Sequence, residues 1–260
     1  MAGFTNYPAR LRTNAGLFGQ AKNLLEIVGM LNFILFKDLP LLYGRVPKVA
    51  NSSVKAALCQ LIQTTPTQGI RTTSDNFWKT GTNSETSMIS NQEASMLRGS
   101  HFCFSFVRNP FDRLVSAYNN KLLELEVIPE RMKSMGLRHS MPFGEFLEVV
   151  AATRDEDLDV HLLPQSSILC LNGQLIPNFV GHLETMQMDW ANLQQQLNRE
   201  GLPKLGQLPE KNVRRSQDHR DVPLYFQDPI FARIVADRYG NDLNTFYANQ
   251  SNKQLIEGDT

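Results

Sequence analysis

The sequence predicts an α/β fold in which a central, mainly parallel β-sheet lies between layers of helices. Three short apolar runs carry that expectation: "LPLLYGRV" at 39–46, "HFCFSFVR" at 101–108 and "NFVGHLE" at 178–184. Each is followed by apolar residues at helical spacing, over 52–63, 110–126 and 186–198. Strand followed by helix, repeated, gives parallel pairing. Two further helical patterns run over 143–152 and 228–247.

With 260 residues, 42% hydrophobic and 20% charged, the chain has the ordinary mix of a globular protein with a real core. It reads as a single domain over 1–260, with an N-terminal helical segment at 1–38 and a core at 39–250. The most apolar early stretch, "NLLEIVGMLNFILF", is interrupted by Glu26, Gly29 and Asn32. It falls short of the ~18 unbroken apolar residues of a membrane span, and the chain opens without the layout of a secretory signal. It is expected to form a core-facing helix. Lys and Arg number 26 against 26 Asp and Glu, so no overall field favours nucleic acid and any anion site has to be built locally. Cys59, Cys103 and Cys170 lie far apart among apolar neighbours, which fits reduced thiols rather than a disulfide framework or a zinc site. A cytoplasmic protein without a membrane span is the expectation.

In sheets of this kind ligands collect where strand ends meet helix starts, and two junctions qualify. The first is "YGRVPKVANSSVKAAL", where Arg45 and Lys48 flank Pro47 and the turn "VANSS" leads into a helix capped by Asn51, Ser52 or Ser53. The N–H groups of its first turn and the helix dipole make an anion seat, to which Lys48 adds a full charge. The mechanics are those of a phosphate loop, but the Walker pattern Gly-x4-Gly-Lys-Ser/Thr is absent. A routine capped helix with a solvated lysine fits the same residues.

The second junction is "FSFVRNPFDRLVSAYNNKL". Arg108 stands at the strand exit, Asn109 can cap, Pro110 suits the first helical position, and Asp112 favours the positive end of the dipole. Phe111, Leu114, Val115, Tyr118, Leu122 and Leu125 share the apolar face, and Asn109, Asp112, Arg113, Ser116 and Asn120 the other. Arg108 and Ser116 are suited to grip a phosphate. Alternatively, Asp112 and Arg113 solvate a surface and Ser116 bonds back to its own helix. Between the junctions, 64–92 is rich in Thr, Ser and Asn and reads as a long loop or lid. Late in the chain, "LPEKNVRRSQDHR" is a basic, proline-flanked run.

Together, "RVPKVANSS" and "FSFVRNPFDRLVSAYNNK" resemble the paired nucleotide motifs of the Golgi-type carbohydrate sulfotransferases, sulfotransferase family 2, in a bacterial-like soluble form. "DVHLLPQSSILC" looks like that family's His-x-x-Pro segment, "IPNFVGHLETMQMDW" like its Phe-Val-Gly strand, and "YFQDPIFARIVADRYGNDLNTF" like its closing helix and acidic signature. The resemblance spans roughly 43–247. It implies a P-loop-like three-layer sandwich and transfer of a sulfuryl group from 3′-phosphoadenosine 5′-phosphosulfate to a carbohydrate hydroxyl. It further implies a donor site in which Arg45, Lys48, Val49, Ala50, Asn51, Ser52 and Ser53 hold the 5′-phosphosulfate. Arg108 and Ser116 would take the 3′-phosphate, and Lys211, Arg214 or Arg215 in the late basic loop would touch donor phosphates or an acidic glycan. The chain departs from the family in its "NSSVK" turn, in Asn109, and in lacking a membrane anchor and paired cysteines.

Sulfuryl transfer asks for a group that follows charge onto the leaving oxygens and for one that takes a proton from the acceptor. Lys48 suits the first task. His161 in "DEDLDVHLLPQ" is the candidate base, because imidazole titrates near neutrality and Asp159 or Asp157 would orient it. A structural or solvated histidine fits the same position, and His101, His139, His182 and Glu184 are rivals. No metal is expected, since neither junction carries a carboxylate pair or a His/Cys cluster at ligand spacing. The expected partner is a carbohydrate or small hydroxylated acceptor, not nucleic acid. Two other classes remain: a P-loop-like kinase or NTPase, against which the missing Walker lysine and acidic metal ligand count, and a non-catalytic nucleotide-binding module.

Overall fold

The computed structural model, which describes residues 31–209 and 217–258, is built on a five-stranded sheet in the order β3-β1-β2-β4-β7. Its strands are β1 (Leu31–Phe36), β2 (Leu41–Gly44), β3 (Thr86–Ser90), β4 (Phe102–Val107) and β7 (Phe179–His182). The short strands β5 (Cys170–Leu171) and β6 (Gln174–Leu175) pair separately. β2, β4 and β7 are parallel, while β1 is antiparallel to both β2 and β3. The sheet is therefore mixed, with a parallel centre and β1 alone running against the rest. Helices flank it: α1 (Asn51–Leu58), α2 (Asn91–Met96), α3 (Pro110–Tyr118), α4 (Glu130–Ser134), α5 (Phe143–Ala152) and α6 (Gln165–Leu169). The remainder are α7 (Met186–Arg199), α8 (Gln217–Tyr225), α9 (Pro229–Arg238), α10 (Gly240–Phe246) and α11 (Asn252–Glu257). This is the α/β architecture that the strand–helix alternation predicts.

Aromatic packing ties the sheet to its helices. Phe104 lies tilted on Tyr43 at 5.1 Å across the β2–β4 pair, and Phe106 stacks on Trp190 of α7 at 6.0 Å. The one hydroxyl inside β4, Ser105, donates to the Gly44 carbonyl at 2.7 Å, so the buried polar group is satisfied. β2 has room for this neighbourhood because Gly44 carries no side chain. A Cβ there would stand 2.8 Å from Leu169 Cδ2 of α6 and 3.0 Å from a Phe33 ring carbon of β1.

Four expectations are corrected. The apolar stretch read as an N-terminal helix is strand β1 over its last six residues, Leu31–Phe36, and the rest of the 1–38 segment up to residue 30 lies outside the described residues. Asn32, which interrupts the apolar run, is buried in that strand and accepts a hydrogen bond from the Arg45 guanidinium at 3.2 Å. The Thr- and Ser-rich stretch at 64–92 is not all loop: it contains β3 and a wide π turn, Phe77–Gly81, whose Phe77 and Trp78 are core residues. The helix expected over 110–126 is α-helical only to Tyr118 and then widens into a π turn, Asn119–Glu124, closed by Leu125 N–H on the Asn120 carbonyl at 3.2 Å. The closing helix over 228–247 is broken at Tyr239 into α9 and α10.

α3 itself starts as predicted, with Pro110 at the first position and Asn109 Oδ1 accepting from the Phe111 N–H at 3.0 Å. Every residue of it is buried, Asp112 and Arg113 included. The alternative of a solvated polar face is thereby removed, and whatever Asp112, Arg113 and Ser116 do, they do inside the protein.

Gly44→Ala is expected to cost about 1–3 kcal/mol through overpacking against Leu169 and Phe33, a loss of several degrees in Tm for a chain of this size. Calorimetry of the variant checks this; an unchanged Tm would mean that Leu169 yields freely.

Candidate active site at the carboxyl rim of the sheet

β2 and β4 pair in parallel with Gly44 opposite Ser105, so the chain leaves both strands on the same rim. The first exit is the loop from Arg45 to Ala50. Lys48 and Ala50 both adopt left-handed backbone conformations, φ 69° and 41°, which for residues with a Cβ cost about 1–3 kcal/mol each and cluster at functional sites. A backbone passing in and out of the left-handed region turns its N–H groups toward a common point, the geometry of an anion nest. α1 begins directly after. Its N-cap is Ala50, with no side-chain cap, which corrects the expectation that Asn51, Ser52 or Ser53 would cap it. Asn51 Oδ1 accepts from the Tyr43 hydroxyl at 3.2 Å instead, and the Ser53 N–H reaches the Ala50 carbonyl at 2.9 Å. Val49 packs in the core, so it offers the loop only its backbone. A helix start whose cap is a methyl group is suited to an external anion.

The second exit carries Arg108. Its Nη1 lies 3.5 Å from the Lys48 carbonyl, so the two predicted cations share one rim. Gln165, wholly buried, brackets the Arg108 backbone: its Oε1 accepts from the Arg108 N–H at 2.9 Å and its Nε2 donates to the Arg108 carbonyl at 2.7 Å. Gln165 is held in turn by Asp242 of α10, whose carboxylate accepts from the Gln165 N–H at 2.8 Å and from the Ser166 N–H and hydroxyl at 2.7 Å. Lys48 Nζ donates to Asn120 Oδ1 at 3.2 Å, in the π turn beyond α3. Ser116 is buried on α3, and no bond back to its helix is seen among the described residues. Glu184 accepts from the Asn109 N–H at 2.7 Å and from the Tyr247 hydroxyl at 3.1 Å, and so braces the β4–α3 corner.

Not every predicted residue joins this group. The Arg45 guanidinium turns to Asn32 and to Asp75 at 3.3 Å, and Asp75 also pairs with the buried Lys55 of α1 at 2.5 Å. Arg45 thus belongs to a cluster that fastens the long loop to α1. Lys211, Arg214 and Arg215 lie outside the described residues.

His161 follows the short 3-10 turn Asp155–Asp157 and precedes α6. Its Nδ1 is 2.6 Å from Asp159 Oδ1, the same oxygen that accepts the His161 backbone N–H at 2.9 Å. Asp159 is therefore the orienting residue; Asp157 pairs with Arg154 at 2.8 Å. An ionised carboxylate only accepts, so Nδ1 carries the hydrogen and Nε2 presents its lone pair. Burial lowers the imidazole pKa below its ordinary 6.5; Asp159 opposes that, and the charges of Lys121 and Lys48 add to it. The reach of the Lys48 charge places the candidate base in the same electrostatic neighbourhood as the donor loop. The rivals are otherwise engaged. His101 sits at the opposite end of β4 beside Ser100, His182 Nε2 meets the Phe246 carbonyl at 3.1 Å, and His139 lies between the Leu122 and Glu126 carbonyls.

Sequence reasoning did not single out Gln165 or Lys121, and it met Asp242 only as the acidic residue of the closing signature, without a partner. Gln165 and Asp242 stand 57 and 77 residues from their respective partners Arg108 and Gln165, so no local pattern could reveal these pairings. Lys121 stands half-buried in the π turn, its pKa lowered by burial and raised by Asp159. Among the described residues no group of three His, Cys, Asp or Glu side chains could hold a metal ion, and no helix is long and apolar enough to cross a membrane.

Comparison with known proteins gives one family. The model of the Sulfotransferase family matches residues 31–248. The chain is also similar to carbohydrate sulfotransferase 14 of Mus musculus, 29% identical over 176 residues, and of Danio rerio, 26% identical over 163 residues. These matches take in 62% and 56% of this chain and 45% and 43% of the respective relatives, so the matched stretch spans less than half the length of either relative. No solved structure matches it.

His161 is expected to titrate below the ordinary imidazole value of 6.5, because burial outweighs the Asp159 carboxylate. Asp159→Asn removes the only group that raises it and should lower it further. Histidine NMR titrations, with His161→Ala to assign the signal, check both; an upward shift in the Asn variant would reverse the assignment of Asp159.

Proposed function

The chain belongs to the sulfotransferase family, and on that premise we propose that it moves a sulfuryl group from 3′-phosphoadenosine 5′-phosphosulfate to a hydroxyl of a carbohydrate acceptor. The observation that carries the reading is the meeting of Lys48 and Arg108 at one rim, Nη1 to carbonyl at 3.5 Å, over a helix start without a side-chain cap. The donor is an elongated polyanion, and that rim offers it backbone N–H groups, a helix dipole and two cations. In this reading Lys48, Val49, Ala50, Asn51, Ser52 and Ser53 cradle the 5′ end, and Arg108 with Ser116 takes the 3′-phosphate.

The chemistry follows from the placement. The bond from sulfur to the phosphate oxygen breaks, a bond from sulfur to the acceptor oxygen forms, and the acceptor proton goes to His161 Nε2. Lys48 follows the charge that gathers on the departing oxygen. Its tether to Asn120 at 3.2 Å keeps the ammonium at the loop. Asp159 holds the imidazole in the accepting tautomer and stabilises the imidazolium that results. The names of the relatives support a carbohydrate acceptor. We place it in a reducing compartment such as the cytoplasm, a reading that rests on the cysteine spacing in the sequence alone.

Two measurements test the reading. 3′-Phosphoadenosine 5′-phosphate at a hundred times its Kd should stabilise the protein by about 2.7 kcal/mol, whereas ATP with magnesium should do little; the reverse order would favour a kinase or NTPase. With labelled donor and a panel of glycans, His161→Ala should lose turnover by about 10²–10⁴ and keep nucleotide binding. Because the base must be neutral to accept a proton, kcat/KM should fall as pH drops through the His161 pKa, at a pH below 6.5. An acidic limb that survives in His161→Ala would assign the base elsewhere.

A further inference from the structure

Arg113 is 2% exposed, and among the described residues its guanidinium forms no ion pair with a carboxylate. Its donors go to three backbone carbonyls on two different segments. Nε donates to Pro47 at 3.0 Å, in the donor loop; Nη1 donates to Leu163 at 2.8 Å and Nη2 to Val160 at 3.4 Å, on either side of His161. Other residues hold these segments, but each holds one: the Tyr239 hydroxyl bonds the Leu162 carbonyl at 2.6 Å, and Asn120 holds Lys48. The planar fork of a guanidinium can satisfy both at once, which a lysine ammonium on a single-point stem cannot.

We propose that Arg113 is a positioning residue that clamps the donor loop to the His161 segment, fixing Lys48 and the base in one mutual geometry. The reacting atoms never touch it. It acts on the distance between the group that follows the leaving oxygen and the group that receives the acceptor proton, where small displacements cost large factors in rate. The inference rests on the sulfotransferase reading above.

The test compares Arg113→Lys and Arg113→Gln with the parent protein. Arg113→Lys keeps charge and approximate length but loses the fork. It should bind 3′-phosphoadenosine 5′-phosphate within about threefold of the parent and lose kcat by about 10–100-fold, with KM for the acceptor little changed. Combined with His161→Ala, the Lys substitution should cost almost nothing more, because it acts through a base that is gone. Full kcat in Arg113→Lys, or additive losses in the double variant, would overturn the proposal. Hydrogen exchange on the parent protein keeps the proposal testable even if the variants fail to fold. Binding the nucleotide product should slow exchange over 158–164 as well as over 46–53. Protection confined to 46–53 overturns the clamp and leaves the donor reading standing; no protection and no thermal shift overturn the donor reading itself.

Discussion

The parallel pairing of β2 with β4 is the constraint on which the rest depends. Leu41 to Gly44 lie opposite Phe102 to Ser105, so two segments nearly sixty residues apart in sequence leave the sheet side by side and in the same direction. An antiparallel pair would have sent Lys48 and Arg108 to opposite ends. Burial enforces the register: both strands are almost wholly inside, and the one polar side chain of β4, Ser105, finds its acceptor in the neighbouring strand. A slip by one residue would turn that hydroxyl away and set Phe104 or Phe106 against the wrong face.

Around that rim the protein uses buried polar groups rather than surface ion pairs to hold backbone. Gln165 brackets Arg108, Asp242 caps α6, and Glu184 braces the corner into α3. Each such group would be costly if a partner were lost, since a buried donor or acceptor left unpaired forfeits its hydration without return. The network therefore specifies one arrangement of the loops more than it adds to stability. It also bears on α3, a helix with Asp, Arg and Ser on one side that is buried all round: its Arg113 guanidinium bonds backbone carbonyls rather than water.

What was legible in the sequence was what is local. Strand, turn and helix follow one another at both junctions, so the three core strands, the start of α3 and the neighbourhood of Lys48 and Arg108 could be read directly. β1 was missed because "LNFILF" is too uniformly apolar to show either a period of two or of 3.6, and Asn32 looked like an interruption when it is a partner for Arg45. β3 was missed because its Thr86 and Ser90 resemble loop residues, although the Thr86 hydroxyl is buried and donates to the Trp78 carbonyl at 3.0 Å. Arg45 looked like a site cation by proximity in sequence, and only the fold shows it turned toward Asp75. The cap at α1 failed for a similar reason. Three good capping residues follow Ala50, but the backbone enters the helix one residue too early for any of them to serve.

The π turn after α3 has a further meaning for how the region can vary. With one residue more per turn than an α-helix, it splays Asn119, Asn120 and Lys121 so that Asn119 accepts from Tyr225 at 2.6 Å, Asn120 holds Lys48, and Lys121 lies in the field of Asp159. Deleting a single residue there would close the wide turn to ordinary helical winding and undo this splay. A change in the length of this turn would therefore disturb all three contacts together, whereas replacing one side chain disturbs one.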